Sequence, residues 1–114
     1  MKDDILQIRE FKGIQVAKVT AEKIYQNAVP RLKSQMDELL KTRPPKVLVD
    51  LSHVTVMNSS GLGVLIAAQD EMNRHRGTLI LTGLSPMMRQ LFEQMRLSEL
   101  FQVTEDEAEA LGRF

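Results

Sequence analysis

Hydrophobic and polar positions alternate at the start of the chain in the way that is typical of half-buried strands. Ile5 to Phe11 alternates imperfectly, Lys12-Gly13 is a turn pair, and Ile14 to Val19 resumes the apolar spacing. Two such runs joined by a glycine-containing turn predict a β-hairpin over residues 5–19.

Three later apolar runs lack this alternation. Lys46 to Leu51 is nearly continuous in apolar side chains, which predicts a central strand covered on both faces. Thr78 to Thr82 predicts the next buried strand, and Phe101 to Val103 predicts a short one.

The first predicted helix follows the hairpin. Asn27 as N-cap places Pro30 in the first turn, where its missing N–H costs little, and the helix ends before Pro44. Its apolar face is made of residues at helical spacing: Ala28, Leu32, Met36, Leu39 and Leu40. Residues 20–26 then form an ordered connection with room for a short turn of helix.

The second predicted helix runs from about Ser60 to Arg76. Basic residues occupy its last turn, where they complement the helix dipole, and Gly77 ends it. Its inward positions share helical spacing: Leu62, Leu65, Ile66 and Met72.

Two more helices are predicted towards the end of the chain. Ser85 as cap and Pro86 at the first helical position start the third. Its apolar stripe is interpreted as core: Met87, Met88, Leu91, Phe92 and Met95. The segment Thr104–Glu107 has the capping-box pattern and begins a last, acidic helix.

The resulting order, β-β-α-β-α-β-α-β-α, predicts an α/β fold with a mixed sheet. The N-terminal hairpin is antiparallel, and the later strands are parallel and joined by right-handed crossovers. A length of 114 residues predicts one domain over residues 1–114.

Composition narrows the possible functions. Fifteen basic and fifteen acidic residues cancel, which argues against a general nucleic-acid binder. The chain has no cysteine, which excludes disulfides and thiolate metal sites. No apolar run approaches the roughly 20 residues of a membrane span, and the charged start, with Lys2 and Asp3, lacks the apolar region of a signal peptide. We therefore expect a cytoplasmic protein.

The stretch Met57–Gly63 joins a predicted strand to a predicted helix through serine and glycine. The start of a helix has unpaired N–H groups and a partial positive charge, so it suits an anion. Ser59 and Ser60 can cap the helix or accept a phosphate there. The residues alone leave both hypotheses open.

This stretch resembles the signature of the STAS domains, the anti-sigma factor antagonist family. The signature is a strand, a short loop, and then Asp-Ser-Ser-Gly-Leu-Gly opening a helix, and Leu48 to Leu65 follows it with Asn58 in place of the aspartate. Gly83-Leu84-Ser85-Pro86 is similar to the family's second half. The resemblance covers roughly residues 45–111 and implies the STAS fold with about four helices.

The resemblance also implies a role. It makes Ser59 the phosphoacceptor and gives Asn58, Ser60, Gly61 and Gly63 the task of shaping the partner-binding site. The two glycines are expected to let the helix pack closely on the sheet. The implied function is regulatory protein–protein contact with an anti-sigma factor or serine kinase, without enzyme activity or cofactor.

A second hypothesis keeps the fold but drops the switch. The family has a Gly-x-Leu-Asp loop before the first helix, whereas this chain has Val19 to Gln26 without that glycine or aspartate. Together with Asn58, this departure is consistent with a constitutive scaffold, a homo-oligomer or a component of a larger stress complex. Tyr25 in this region is either core or part of a changed partner surface.

Other site classes find little support. A dinucleotide fingerprint would need a third glycine where Ile66 stands. A phospho-aspartate receiver would need an acidic pair after the first strand and a lysine after the last, and the last lysine is Lys46. No histidine and acid are placed to activate a serine, and His53 and His75 lack partners at metal-ligand spacing.

Overall fold

A five-stranded mixed sheet forms the centre of the fold in the computed structural model, which describes residues 4–114. The predicted charged start, with Lys2 and Asp3, lies outside the described residues. The strands are β1 (Leu6–Phe11), β2 (Ile14–Val19), β3 (Lys23–Ile24), β4 (Lys46–Asp50), β5 (Val56–Met57), β6 (Thr78–Thr82) and β7 (Gln102–Thr104). The α-helices are α1 (Ala28–Leu40), α2 (Ser59–Arg74), α3 (Pro86–Gln94) and α4 (Glu107–Leu111).

The strand order β1-β2-β4-β6-β7 confirms the predicted mixed sheet. β1 and β2 are antiparallel, and the pairs β2–β4, β4–β6 and β6–β7 are parallel. Lys12 and Gly13 join the hairpin with φ angles of 51° and 83°, the two positive values that a tight hairpin turn of this length requires. β4 is central, and Val47, Leu48 and Val49 are fully buried, as the continuous apolar run predicted.

The two faces of the sheet bury different amounts of apolar surface. The larger core lies on the side of α1, α2 and α3, where residues such as Val49 and Leu81 of the sheet pack with Met36 and Leu65 of the helices. On the opposite face a smaller core is closed by α4 and the last residues of the chain. The members of this smaller core come from the sheet and the C-terminus: Ile14, Val16, Leu48, Ile80, Ala110, Leu111 and Phe114.

The connection before α1 differs from the prediction. Residues 20–26 contain the short strand β3 rather than a turn of helix, and β3 pairs in parallel with β5 to make a second, two-stranded sheet. Backbone hydrogen bonds extend this pairing, from Thr55 N to Glu22 O at 2.7 Å and from Asn58 N to Ile24 O at 3.0 Å. A partner that is distant in sequence decides this local conformation.

Two predicted helix starts need correction. α1 begins directly after Asn27, but the Asn27 backbone is already helical and its side chain makes no capping bond. The last helix is capped by Asp106, whose side chain accepts the N–H of Glu109 at 2.9 Å. Thr104 belongs to β7, so the strand predicted at Phe101–Val103 is displaced by one residue.

The end of α2 depends on two neighbouring residues. The helix stops at Arg74, and Arg76 adopts the left-handed conformation at φ 62°. Gly77 donates to Met72 O at 2.7 Å, and a Cβ at Gly77 would lie 2.7 Å from Met72 Cε. The prediction that Gly77 ends the helix is therefore wrong: the left-handed turn falls on Arg76, and glycine at position 77 is explained by the lack of space for a Cβ.

The methionine stripe of α3 is only partly core. Met88 and Phe92 are buried, but Met87 is 56% exposed and Met95 is 46% exposed. The interpretation of these two as core is wrong, because α3 contacts the body of the protein along one side and the stripe is wider than that contact.

Candidate functional site at the start of helix α2

The candidate site begins with the cap of α2, which is Asn58. Its backbone is extended, and its Oδ1 accepts the N–H of Gly61 at 2.9 Å. Its carbonyl accepts the N–H of Leu62 at 3.1 Å. Asparagine is among the best N-cap residues because its side-chain oxygen satisfies a backbone donor that the helix leaves unpaired. Asn58, and neither serine, therefore caps the helix.

Ser59 and Ser60 occupy the first two positions of α2 and are both exposed. The Ser59 hydroxyl makes no hydrogen bond with any residue in the range 4–114. The first turn carries no acidic side chain. An anion on Ser59 would therefore be the first negative charge at this positive end of the helix dipole.

The two glycines of the motif have different environments. Gly61 is buried, and a Cβ built there would lie 2.9 Å from Ile24 Cγ2 and 3.3 Å from Met57 Sδ, so close packing on the β3–β5 pair requires glycine. Gly63 is exposed, and a Cβ there would meet nothing within 4 Å. The prediction of close packing is confirmed for Gly61 and wrong for Gly63, because Gly63 faces away from the sheets.

A groove of about 1100 Å³ lies between α1 and α2, and Ser60 and Gly63 are on its α2 side. Its polar rim is neutralised by ion pairs within each helix, such as Lys33 with Asp37 at 2.9 Å and Arg74 with Asp70 at 2.6 Å. The groove places open space next to Ser60.

Two neighbouring elements approach the segment that precedes the cap, and one of them carries an exposed aromatic side chain. Ile24 of β3 lies opposite Met57 of β5 in a parallel pair. Tyr25 and Asn58, which directly follow these two residues, are therefore neighbours. Tyr25 is 42% exposed, which makes the core interpretation of this residue wrong. On the other side Ser85 Oγ donates to Thr55 O at 2.8 Å and holds the start of α3 against this segment.

Sequence reasoning missed that the β3–β5 pair brings the residues before α1 to this site. The apolar residues Ile24 and Tyr25, bounded by polar ones, were the only local signal of a strand there.

The two histidines considered in the sequence lie away from this site: His53 is exposed in a turn, and His75 Nε2 lies 2.8 Å from Pro44 O. Within residues 4–114, no cluster of His, Cys, Asp or Glu is arranged to hold a metal ion, and no helix is long and apolar enough to cross a bilayer.

The family model of the STAS domain matches residues 6–110, nearly all of the described chain. The chain belongs to the STAS-domain family. This STAS domain is 30% identical over 108 residues to the anti-sigma-B factor antagonist of Listeria monocytogenes, and the match covers 94% of each chain. The predicted family and fold are thereby confirmed.

Solved structures share the fold at lower identity. An anti-sigma factor antagonist from Mycobacterium paratuberculosis superposes with a TM-score of 0.86 at 22% identity, covering 95% of this STAS domain and 91% of that chain. The Bacillus cell fate determinant SpoIIAA in its phosphorylated form superposes with a TM-score of 0.71 at 21% identity, covering 95% and 97% respectively.

Proposed function

We propose that this STAS domain binds a serine kinase of the anti-sigma type and that phosphorylation of Ser59 controls the contact. The observation that carries this proposal is the position of Ser59, whose exposed hydroxyl stands unbonded within the described chain at the first position of a helix that another residue caps. A kinase can reach that oxygen without unfolding the helix start. We also propose that the contact is made in the cytoplasm and that the domain itself has no enzyme activity.

The free domain is suited to carry a phosphate at Ser59. A phosphoserine adds about 1.5 to 2 negative charges at neutral pH. The start of α2 has no acidic side chain to repel them, and a negative charge at a helix N-terminus is stabilising by about 0.3 to 1 kcal/mol when exposed. Because Asn58 keeps its bond to Gly61, the modification does not remove the cap.

Phosphorylation of Ser59 should destabilise the complex with the partner, although it stabilises the free domain. We assign the partner surface to two exposed side chains of the neighbouring elements, Tyr25, which follows the strand paired with β5, and Met87, in the first turn of α3. Aromatic and methionine side chains are enriched at protein interfaces. A partner seated on them would have to desolvate the phosphate, and buried charge without full pairing is costly. Phosphorylation thus weakens binding while the fold stays intact.

The relatives support this assignment. The Listeria relative is an antagonist of an anti-sigma factor, and SpoIIAA exists in a phosphorylated form. These are properties of those proteins, and we transfer them here because this chain belongs to the same family as the Listeria relative, shares the fold of SpoIIAA, and exposes Ser59 at the start of α2.

A constitutive scaffold is the second candidate function, and one observation favours it. The family's usual aspartate is Asn58 here, and its amide is neutral, so it cannot act as a base toward the serine hydroxyl. In this alternative the domain binds, or assembles with other copies or a larger complex, without a switch.

Mass spectrometry and binding measurements separate the two functions. Intact-protein mass spectrometry after expression in the native host shows whether the chain carries a phosphate, and peptide mapping assigns it to Ser59 or Ser60. Ser60→Ala is the matched control for Ser59→Ala, because both serines are exposed in the same helical turn. We expect Ser59→Ala alone to remove the phosphate.

Binding to the anti-sigma-type serine kinases of the same host then tests the switch. We expect Ser59→Asp to weaken binding more than Ser59→Ala, which adds no charge at the same position. If no phosphate is found and Ser59→Asp binds as tightly as wild type, the scaffold replaces the switch. Phosphate that appears only on the Asn58→Asp variant would likewise show that asparagine has silenced the switch.

A further inference from the structure

Strand β1 forms one edge of the five-stranded sheet, and among the described residues it pairs with β2 alone. An edge strand presents unpaired N–H and C=O groups to any strand that can lie beside it. The direction of these groups follows from the hairpin. Thr20 N donates to Ile5 O at 2.8 Å, so the backbone groups of Ile5 face β2. In an antiparallel ladder every second residue bonds to the partner strand, so the backbone N–H and C=O groups of Leu6, Ile8 and Glu10 face away from β2.

The outward groups are blocked at only one end. Gln35 Oε1 accepts the N–H groups of Ile5 and Leu6, each at 2.9 Å. The carbonyl of Leu6 and both backbone groups of Ile8 and Glu10 are left for another strand. Within residues 4–114, no main-chain hydrogen bond outside the β1–β2 ladder uses them.

Apolar side chains on this edge are left uncovered. Ile8 is opposite Ala17 and so shares its face with the larger core, yet it is 45% exposed. Phe11 is 39% exposed on the other face. Edge strands are usually protected by charge or covered by another element, and neither protects Ile8 directly.

The order of side chains along β1 selects one way for a second copy to pair with it. In a symmetric antiparallel pair the two-fold axis passes beside one residue, which then lies opposite itself. An axis at Arg9 or at Glu10 places like charges directly opposite each other, which is destabilising. An axis at Gln7 would pair Leu6 with Ile8. Because Gln35 holds the N–H of Leu6, the carbonyl of Ile8 would then stay unbonded near the centre of the pair.

An axis at Ile8 puts no like charges opposite each other, and only the carbonyl of Glu10 loses its bond, because Gln35 holds the N–H of Leu6. Ile8 then lies opposite Ile8 of the second copy, and Gln7 lies opposite Arg9. Leu6 lies opposite Glu10, so the free N–H of Glu10 meets the free carbonyl of Leu6. No like charges oppose each other within β1, and Gln35 keeps its bonds.

We infer that β1 pairs with β1 of a second copy about Ile8, which joins the two five-stranded sheets into one. A second copy fits this edge because, about Ile8, the two Ile8 residues exchange both of their free backbone bonds, the N–H of Glu10 meets the carbonyl of Leu6, and no like charges lie directly opposite each other. The surface is separate from the proposed switch, because it lies on the edge strand of the main sheet whereas Ser59 follows the separate β3–β5 pair. Two six-residue strands bury less than the roughly 1,600 Å² of a standard interface, so the dimer is weak and depends on concentration.

Cysteine scanning tests both the contact and its register, because the natural chain has no cysteine. Opposite residues in a bonded antiparallel pair have Cα atoms about 5.5 Å apart, which lies within the range of a disulfide. We expect the Ile8→Cys variant to form a disulfide dimer under mild oxidation about tenfold faster than Gln7→Cys, Arg9→Cys or Glu10→Cys. Met95→Cys is the matched control, since Met95 is 46% exposed on α3, outside β1.

Sedimentation of the unmodified full chain provides the second measurement. We expect the apparent mass to rise from 13.0 kDa toward twice that value as concentration increases. Ile8→Lys places two like charges at the axis and should weaken the dimer about tenfold, whereas Met95→Lys should not. Circular dichroism of each variant verifies its fold.

Three outcomes would overturn the inference. The full chain could stay monomeric at every concentration. Ile8→Cys could cross-link no faster than Met95→Cys, or a cysteine at another β1 position could cross-link faster than Ile8→Cys. An Ile8→Lys variant that is folded and dimerises as strongly as wild type would overturn it as well. If Ile8→Lys still binds the kinase, the failure or success of the β1 dimer is independent of the proposed switch at Ser59.

Discussion

Asn58 Oδ1 accepts the backbone N–H of Gly61 at 2.9 Å, so the residue that stands in place of the family's usual aspartate is the cap of helix α2. The same bond leaves the hydroxyl of the following serine free of a capping duty. A structural role and a candidate regulatory role thus fall on adjacent residues, which makes them separable by substitution.

Removing the cap should destabilise the domain without touching the serine. Asn58→Ala leaves the N–H of Gly61 unpaired, and the loss of such a cap costs about 1 kcal/mol. Thermal unfolding should show a lower melting temperature. Asn58→Asp keeps an acceptor oxygen and adds a charge that the helix dipole favours, so its melting temperature should equal or exceed that of wild type. Equal destabilisation by both variants would show that the bond is unimportant.

The two glycines of the motif should respond oppositely to alanine. Gly61→Ala forces Ile24 and Met57 to move, and overpacking of this kind typically costs about 1 to 3 kcal/mol. Gly63→Ala meets no neighbour and replaces a poor helix former, so it should stabilise the domain by up to about 1 kcal/mol. Denaturant unfolding of the pair measures both. A Gly63→Ala variant as unstable as Gly61→Ala would contradict the assignment of close packing to Gly61 alone.

A negative charge at Ser59 should stabilise the isolated domain. Ser59→Asp adds a carboxylate at the start of α2, where no acidic residue is present, and the expected gain is about 0.3 to 1 kcal/mol at low ionic strength. Because salt screens exposed charges, the gain should shrink when melting is repeated in 1 M salt, where the screening length is about 3 Å. A loss of stability at low salt would mean that the free domain does not tolerate the proposed phosphate.

Ser85 should stabilise both helix α3 and the segment before β5. Its hydroxyl oxygen accepts the N–H of Met88 at 3.1 Å and donates to Thr55 O at 2.8 Å, so it caps α3 and ties it to the segment before β5. Ser85→Ala should cost more than an isolated cap, about 1 to 2 kcal/mol. Hydrogen exchange should rise in α3 and around β5 together. Faster exchange confined to α3 would reduce Ser85 to a local cap.

Sequence reasoning succeeded where the deciding interactions are local or where a strand is buried on both sides. The runs 46–51 and 78–82 could be predicted as buried strands because three consecutive apolar residues stand in the middle of each, which is typical of a strand covered on both faces. Ser85-Pro86 specified a helix start because an oxygen acceptor and a preset φ act within a single turn. The STAS family was recognisable for the same reason, since its motif is one continuous strand–turn–helix segment.

Tertiary structure alone decided the surroundings of Ser59. Residues 23–24 are a strand only because β5, more than thirty residues later, supplies its partner, and that pairing carries Tyr25 to the site. Whether Gly61 or Gly63 needed to be glycine depended on which side of α2 meets Ile24. Met87 and Met95 are exposed because α3 contacts the body along only one side. Hydrophobic spacing predicted the helices and strands, but the side of each that stays open depends on neighbours that lie far away in the chain.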